Sequence, residues 1–233
     1  MEDRSILIWF YSLRHYFMKF SYVLLIVLAV LFVAWCLFGI LSIRGIESPK
    51  YTVAETAKGY EVRDYAPMIL ATAEAEGTLE EATNQGFRLI AGYIFGDNTT
   101  QTPIAMTVPV SAAKSEPIAM TAPVLAAGES AQGKYTISFV MPSKYTLDTI
   151  PQPNNSAVVL VEVPAKKMAV LSFSWFTPEA RVNAKKALLL EAIKADGLEA
   201  AGSPTAAFYN PPWTPPFMRH NEVWVELLAP KEA

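Results

Sequence analysis

Few side chains in this 233-residue sequence are equipped for chemistry. Cys36 is the only cysteine, and the histidines are His15 and His220. Nucleophilic and acid–base catalysis usually recruit cysteine or histidine beside a second polar group. Residues 49–233, with one histidine and no thiol, are therefore expected to bind rather than catalyse. His220 stands in RHNEVW, residues 219–224. Its H-N-E triplet has the spacing of the H-x-E in zinc deaminases, but no cysteine pair completes such a site. A lone histidine beside a C-terminal strand is expected at the surface, with a ligand role as the sharper alternative. Residues 128–135, GESAQGKY, approach a phosphate-binding G-x-x-x-x-G-K-[ST] loop. Tyr135 stands where Ser or Thr must hold Mg²⁺, and a strand follows where a helix is required, so nucleotide binding is not expected. Glu80 and Glu81 read as helix-start charges, and Asn98 and Asn154 head N-x-[ST] sequons.

The most distinctive pattern is a repeated octet. Residues 103–110 read PIAMTVPV and 117–124 read PIAMTAPV, seven of eight positions being identical at an offset of 14. The SAAKSE between them is turn-like, so the copies can be two arms of a hairpin with matching side-chain direction. Flanking prolines confine each arm to a short, edge-like strand. Met106 and Met120 then fill core gaps, the commonest use of methionine, or line an apolar ligand pocket.

These residues need a scaffold, and the chain signals one. Residues 20–43, FSYVLLIVLAVLFVAWCLFGILSI, carry no charge. At about 1.5 Å per residue they span roughly 35 Å, enough to cross a hydrocarbon core of about 30 Å. A buried core helix is rarely so uniformly apolar. A cleaved signal peptide has a shorter apolar region and a small-residue cleavage site, whereas this run ends in SIRGIESP. The expectation is an uncleaved single-pass signal anchor at 20–43, after an N-terminal segment 1–19 and before a linker 44–50. Residues 5–18, apolar and aromatic but broken by Arg14 and His15, are expected at the bilayer interface. Basic residues flank the run almost evenly, and the domain is expected on the extracytoplasmic side. Residues 49–233 hold 15 Lys and Arg against 19 Asp and Glu, which gives no electrostatic footprint for nucleic acid.

Within that domain, residues 51–55, 60–65 and 68–76 read as strands. Thr78 and Glu81 have capping-box spacing. Ala82, Gly86, Phe87, Ile90, Ala91 and Ile94 then make the apolar face of a helix stopped at Gly96. Strands around Met106 and Met120 and at 135–141 follow, then a loop with Pro151 and Pro153. Strands at 158–163 and 168–175 precede a helix opened by Thr177 and Pro178, carrying Val182, Leu189 and Ile193 and ending near Gly197. Strands at 205–209 and 222–228 close the chain around a proline-dense loop, YNPPWTPPF, at 209–217. Two strands, a helix and further strands, given twice, predict an α+β domain with internal pseudo-symmetry.

Ordered along the chain, YEVRDYAP (60–67), YIFGDN (93–98), the two octets, ISFVMP (137–142), PQP (151–153), FSW (173–175), YNPPWTPPF and RHNEVW resemble the SOUL haem-binding proteins over about residues 50–229. The resemblance implies a distorted β-barrel at 51–229, built from a duplicated β-α-β unit with two flanking helices. It also implies haem or a related tetrapyrrole as ligand, held against the first helix at Phe87, Ile90 and Ala91. Ile94 on the same apolar face, and Met106 and Met120 as pocket lining, complete the expected site from the residue pattern itself. His220 is the domain's histidine available to the iron. The family's basic partners for the propionates fall at Asn84, Gly92 and Thr214, none of them charged, so the implied affinity is modest. The expected function is a membrane-tethered haem-binding protein. The alternative is a module of the same fold that holds another hydrophobic small molecule or a partner protein; a haem-using or haem-degrading enzyme is a third reading.

Overall fold

The computed structural model describes residues 3–100, 116–129 and 133–228. Two compact units emerge: the N-terminal helix together with Pro211–Pro215, and Gly45–Asn210 continued from Pro216. The first octet, with Met106, lies outside the described residues.

The N-terminal helix α1 (Asp3–Ile43) runs 41 residues without a break. Within Met18–Ile43 the mean hydropathy of an 18-residue window reaches 3.1, and only 6% of that window is buried. A helix in a protein core hides such side chains, whereas this one leaves them bare. This helix is long and apolar enough to cross a membrane.

In the second unit the elements are β1 (Tyr51–Thr56), β2 (Glu61–Tyr65), β3 (Met68–Glu76), α2 (Leu79–Ile94), β4 (Asn98–Thr99), β5 (Val124–Glu129), β6 (Lys134–Val140), β7 (Gln152–Pro153), β8 (Val159–Val163), β9 (Lys166–Phe173), α3 (Glu179–Ala195), β10 (Thr205–Phe208) and β11 (Asn221–Glu226). Nine strands form one antiparallel sheet, curled as a half-barrel, in the order β1-β2-β9-β11-β10-β5-β6-β3-β8; β4 and β7 pair separately. The order carries the duplication. Reading outward from the β10–β5 junction gives β11, β9, β2 on one side and β6, β3, β8 on the other. Each step then pairs a strand of one repeat, β2-β3-α2-β5-β6, with its counterpart in the other, β8-β9-α3-β10-β11. The first strand of each repeat is exchanged: β2 joins β9, and β8 joins β3.

Both helices lie on one face of the sheet. Thr78 caps α2, its hydroxyl accepting from the Glu81 N–H while the Glu81 carboxylate accepts from the Thr78 N–H. Leu79, Ala82, Gly86, Ile90, Tyr93 and Ile94 recur every three or four residues and are buried against Ala71, Ala73, Ile137 and Phe139. Gly86 sets the closeness of that packing, because a Cβ there would lie 2.4 Å from Ile137 Cβ. Gly86→Ala is therefore expected to destabilise the domain although alanine favours helix by about 1 kcal/mol. Overpacking costs about 1–3 kcal/mol, and a thermal melt should show a fall of a few degrees. On the other half, α3 buries Val182, Leu189 and Ile193, the latter two in a cluster with Val62, Leu171, Val223 and Val225. The opposite face of the sheet carries Tyr65, Leu125, Val140, Val170, Ala207 and Trp224.

Three local readings of the sequence are corrected. Met120 is not in a strand: residues 117–120 have no regular structure, Thr121 makes an isolated bridge to Glu47, and β5 begins only after Pro123. Proline cannot donate to a ladder, which keeps pairing off this segment. Strand β9 stops at Phe173 because Trp175 has φ 85, a left-handed conformation that breaks the strand. Pro178 rather than Thr177 occupies the cap of α3, without a side-chain hydrogen bond. The two sequons also differ. Asn98 is buried with its amide donating to the Tyr93 and Glu116 carbonyls, while Asn154 is exposed.

Candidate functional site

Helix α2 divides the residues assigned to ligand binding into two sets. Ile90 is 0% exposed and Ile94 1%, both spent on the core. Phe87, 39% exposed, packs its ring 5.5 Å from Phe139 and shows its other side to solvent. Ala91 is half-buried, and Phe95, in the cap position, is 65% exposed. Phe87, Ala91 and Phe95 follow at four-residue steps and so share one stripe. Along about 12 Å of helix, at about 1.5 Å per residue, they form an apolar strip. Beside it Asn84, Arg88 and Gly92 make a second exposed stripe, and a Cβ at Gly92 would meet nothing within 4 Å. Among the described residues nothing covers this stripe. Tyr93, the α2 side chain of a type that can ligate haem iron, is buried, its hydroxyl donating to the Pro151 carbonyl.

Other assigned residues lie elsewhere. Met120 is 41% exposed in its irregular segment. Thr214 belongs to the first unit and is buried, its Cα and Cγ2 both lying beside the position a Gly39 Cβ would take. A long basic side chain has no room there. A cavity of about 200 Å³ beside the β2–β3 turn is lined by Lys50, Pro67, Met68, Thr121 and Tyr145, among others. It falls short of the roughly 300–1,000 Å³ of small-molecule sites, so it does not enclose a macrocycle.

His220 leads into a polar cluster that the sequence reading missed. Glu222 is 1% exposed at the start of β11. Its Oε1 accepts from Arg63 at 2.9 Å and from Ser172 at 3.3 Å, and lies 2.9 Å from His220 Nε2. Its Oε2 accepts from Tyr209 and from Trp224 Nε1, each at 2.6 Å. Arg63 in turn donates to Glu61 and Tyr65, and its guanidinium stacks 4.3 Å from the Tyr51 ring centroid. Burial alone would push the Glu222 carboxyl up. The bonds from His220, Tyr209 and Trp224, with the Arg63 charge, outweigh burial and hold it near 2. Burial, reinforced by the Glu222 charge, pushes the Tyr209 hydroxyl far up, so it stays a donor. A carboxylate so satisfied is a structural centre, not a free acid or base. The signal in the sequence was parity: Arg63 with Tyr65 along β2, and Glu222 with Trp224 along β11, with His220 one residue ahead of that strand in the same alternation.

The sheet separates the two places. Leu125 and Val140 face the Trp224 side, while their neighbours Ala126 and Phe139 face α2. His220, its ring 4.6 Å from that of Tyr209, is on the Trp224 side. The strip of α2 and His220 therefore lie on opposite faces of the sheet.

The chain matches the SOUL heme-binding protein family over residues 46–226. It is a member of that family. Among characterised relatives it is 27% identical to "Heme-binding protein 2" of Mus musculus over 190 residues, covering 78% of this chain and 86% of that protein. It is 26% identical to "Heme-binding protein 1" of Sus scrofa over 167 residues, covering 71% and 82%. The fold also resembles the crystal structure of the EcmrR C-terminal domain, with a TM-score of 0.53, 8% identity, and coverage of 76% of this chain and 98% of that one.

Proposed function

We propose that this chain is a membrane-tethered binding protein for haem or a related tetrapyrrole, with the macrocycle lying on the exposed strip of α2. The observation that carries the reading is the strip itself: Phe87, Ala91 and Phe95 remain bare on a helix whose other face is sealed into the core. Burying their surface is worth roughly 25 cal/mol per Å², a contribution that does not depend on an iron ligand. Family membership and the names of the relatives support the ligand class. Haem, when bound, supplies a redox-capable iron. The protein supplies a flat apolar seat, with Arg88 as the neighbouring cation for a propionate. Nothing in that seat performs acid–base or nucleophilic chemistry, so the role is binding. In this reading residues 20–43 are the anchor, 44–50 the linker and 51–229 the binding domain. We place the domain outside the cytoplasm; the flanking charges do not oppose this, because long domains translocate largely regardless of them.

An absorbance titration with haem of the parent, Phe95→Asp and His220→Ala tests this. Phe95 is exposed, so its replacement should lower the thermal melt by no more than the small cost of a carboxylate at a helix C-terminus, while weakening haem binding about tenfold or more, because a carboxylate would face the ring. His220→Ala should bind haem like the parent. A spectral shift and weaker binding on loss of His220, with Phe95→Asp unaffected, would move the site to the opposite face. No saturable change in the parent at micromolar haem would leave the alternative, a module for another hydrophobic ligand or a protein.

A further inference from the structure

We propose that the Pro211–Pro215 loop is a second membrane-contacting element, seated at the boundary between acyl chains and headgroups of a lipid bilayer beside the end of α1. This rests on the reading of Met18–Ile43 as a span. The loop is clustered with α1 in one compact unit, and its seat is specific. Trp35 Nε1 donates to the Trp213 carbonyl at 2.7 Å, and Trp213 Nε1 donates to Ser42 Oγ at 3.0 Å. The Phe38 and Trp213 ring centroids are 6.3 Å apart. Pro215 Cδ lies 2.9 Å from where a Gly39 Cβ would be, so the glycine is what lets the loop settle. Residues 35, 38, 39 and 42 form one stripe of the helix.

Depth and chemistry then agree. The 26 residues of the span, at about 1.5 Å each, exceed a core of about 30 Å, so the last turn, with Ser42, reaches headgroup level. Trp213 bonds to that turn and to Trp35, about 10 Å deeper at the same rise per residue. That is the level at which tryptophan, with its apolar body and single N–H, is enriched. Trp213 is 50% exposed, which leaves half of it for lipid. The backbone suits the place as well. Pro211, Pro212 and Pro215 have no N–H to leave unpaired, and the Thr214 N–H donates to the Pro211 carbonyl at 3.0 Å. Irregular backbone is costly in lipid because of its unpaired groups, and the three prolines remove three N–H donors from this loop.

The test uses the full chain in phosphatidylcholine vesicles, with Cys36→Ala and one fluorophore at Pro212→Cys, an exposed position of the loop that leaves Trp213 in place, or at Leu28→Cys. Quenching is compared between nitroxides placed near the headgroup, nitroxides placed deep in the acyl chain, and aqueous iodide. The label at 212 should be quenched several-fold more by the shallow nitroxide than by iodide, and the label at 28 by the deep one. Adding Gly39→Val, which collides with Pro215, should raise iodide access at 212 and leave 28 unchanged. Free iodide access at 212 with 28 still quenched by lipid overturns the loop contact and leaves the span intact. Iodide access at both positions removes the span, and the loop contact with it.

Discussion

Replacing Glu222 with alanine is expected to destabilise the domain by about 3–5 kcal/mol, the usual cost of breaking a buried ion pair and leaving one partner uncompensated. The loss strands the Arg63 guanidinium, which is buried with Glu222 as its close carboxylate besides Glu61. It also leaves the Tyr209 hydroxyl and Trp224 N–H without their acceptor. Denaturant unfolding should show a lower midpoint with an unchanged slope. Arg63→Ala should cost a similar amount, and the double variant clearly less than the sum, because the two share one network. The same carboxylate sets an acid limit. Its folded pKa is depressed from 4.5 to about 2, so its contribution is complete above about pH 5 and falls away as the pH drops toward 2. The shift corresponds to about 3 kcal/mol. Glu222→Gln should flatten the stability profile across that window; an unchanged profile would show that other carboxylates set it.

How much of this was legible depended on whether a signal was local. The capping box at Thr78 and Glu81, the helix stops and the strand alternation depend on neighbours within four residues, and most elements were read close to their bounds. So was the repeat, because both copies carry the same sequence of local signals. What eluded the sequence depends on partners far along the chain. Ile90 and Phe87 both belong to an apolar helix face; only Ile137 and Phe139 decide which is sealed and which stays bare. Glu222 looked like an ordinary strand carboxylate until Arg63, 159 positions earlier, was placed beside it. Met120 failed as a strand for a local reason that was visible, its bracketing prolines at 117 and 123.

The second large effect concerns the anchor. Removing residues 1–48 is expected to move the protein from the membrane pellet to the supernatant, while the full chain needs detergent. The exposed side chains of Met18–Ile43 are the cause. Transfer of so long an apolar surface out of water, at roughly 25 cal/mol per Å², outweighs the solubility of the domain. The helix and sheet clusters lie wholly within the second unit, so the truncated protein should keep a cooperative melt. Recovery of the full chain from a detergent-free supernatant would contradict the anchor, and an aggregated truncation would contradict an independent domain.

Gly92 can show whether haem lies on the exposed side of α2. A side chain there meets open space, and glycine gains helix propensity on replacement by either lysine or glutamate, so the two variants differ chiefly in charge. Titrated with haem, Gly92→Lys should bind about two- to fivefold more tightly than the parent, as an exposed ion pair to a propionate is worth up to about 1 kcal/mol. Gly92→Glu should bind more weakly by a similar factor, and added salt should shrink both effects. Equal affinities for the lysine, glutamate and parent proteins would contradict a haem seated on this helix.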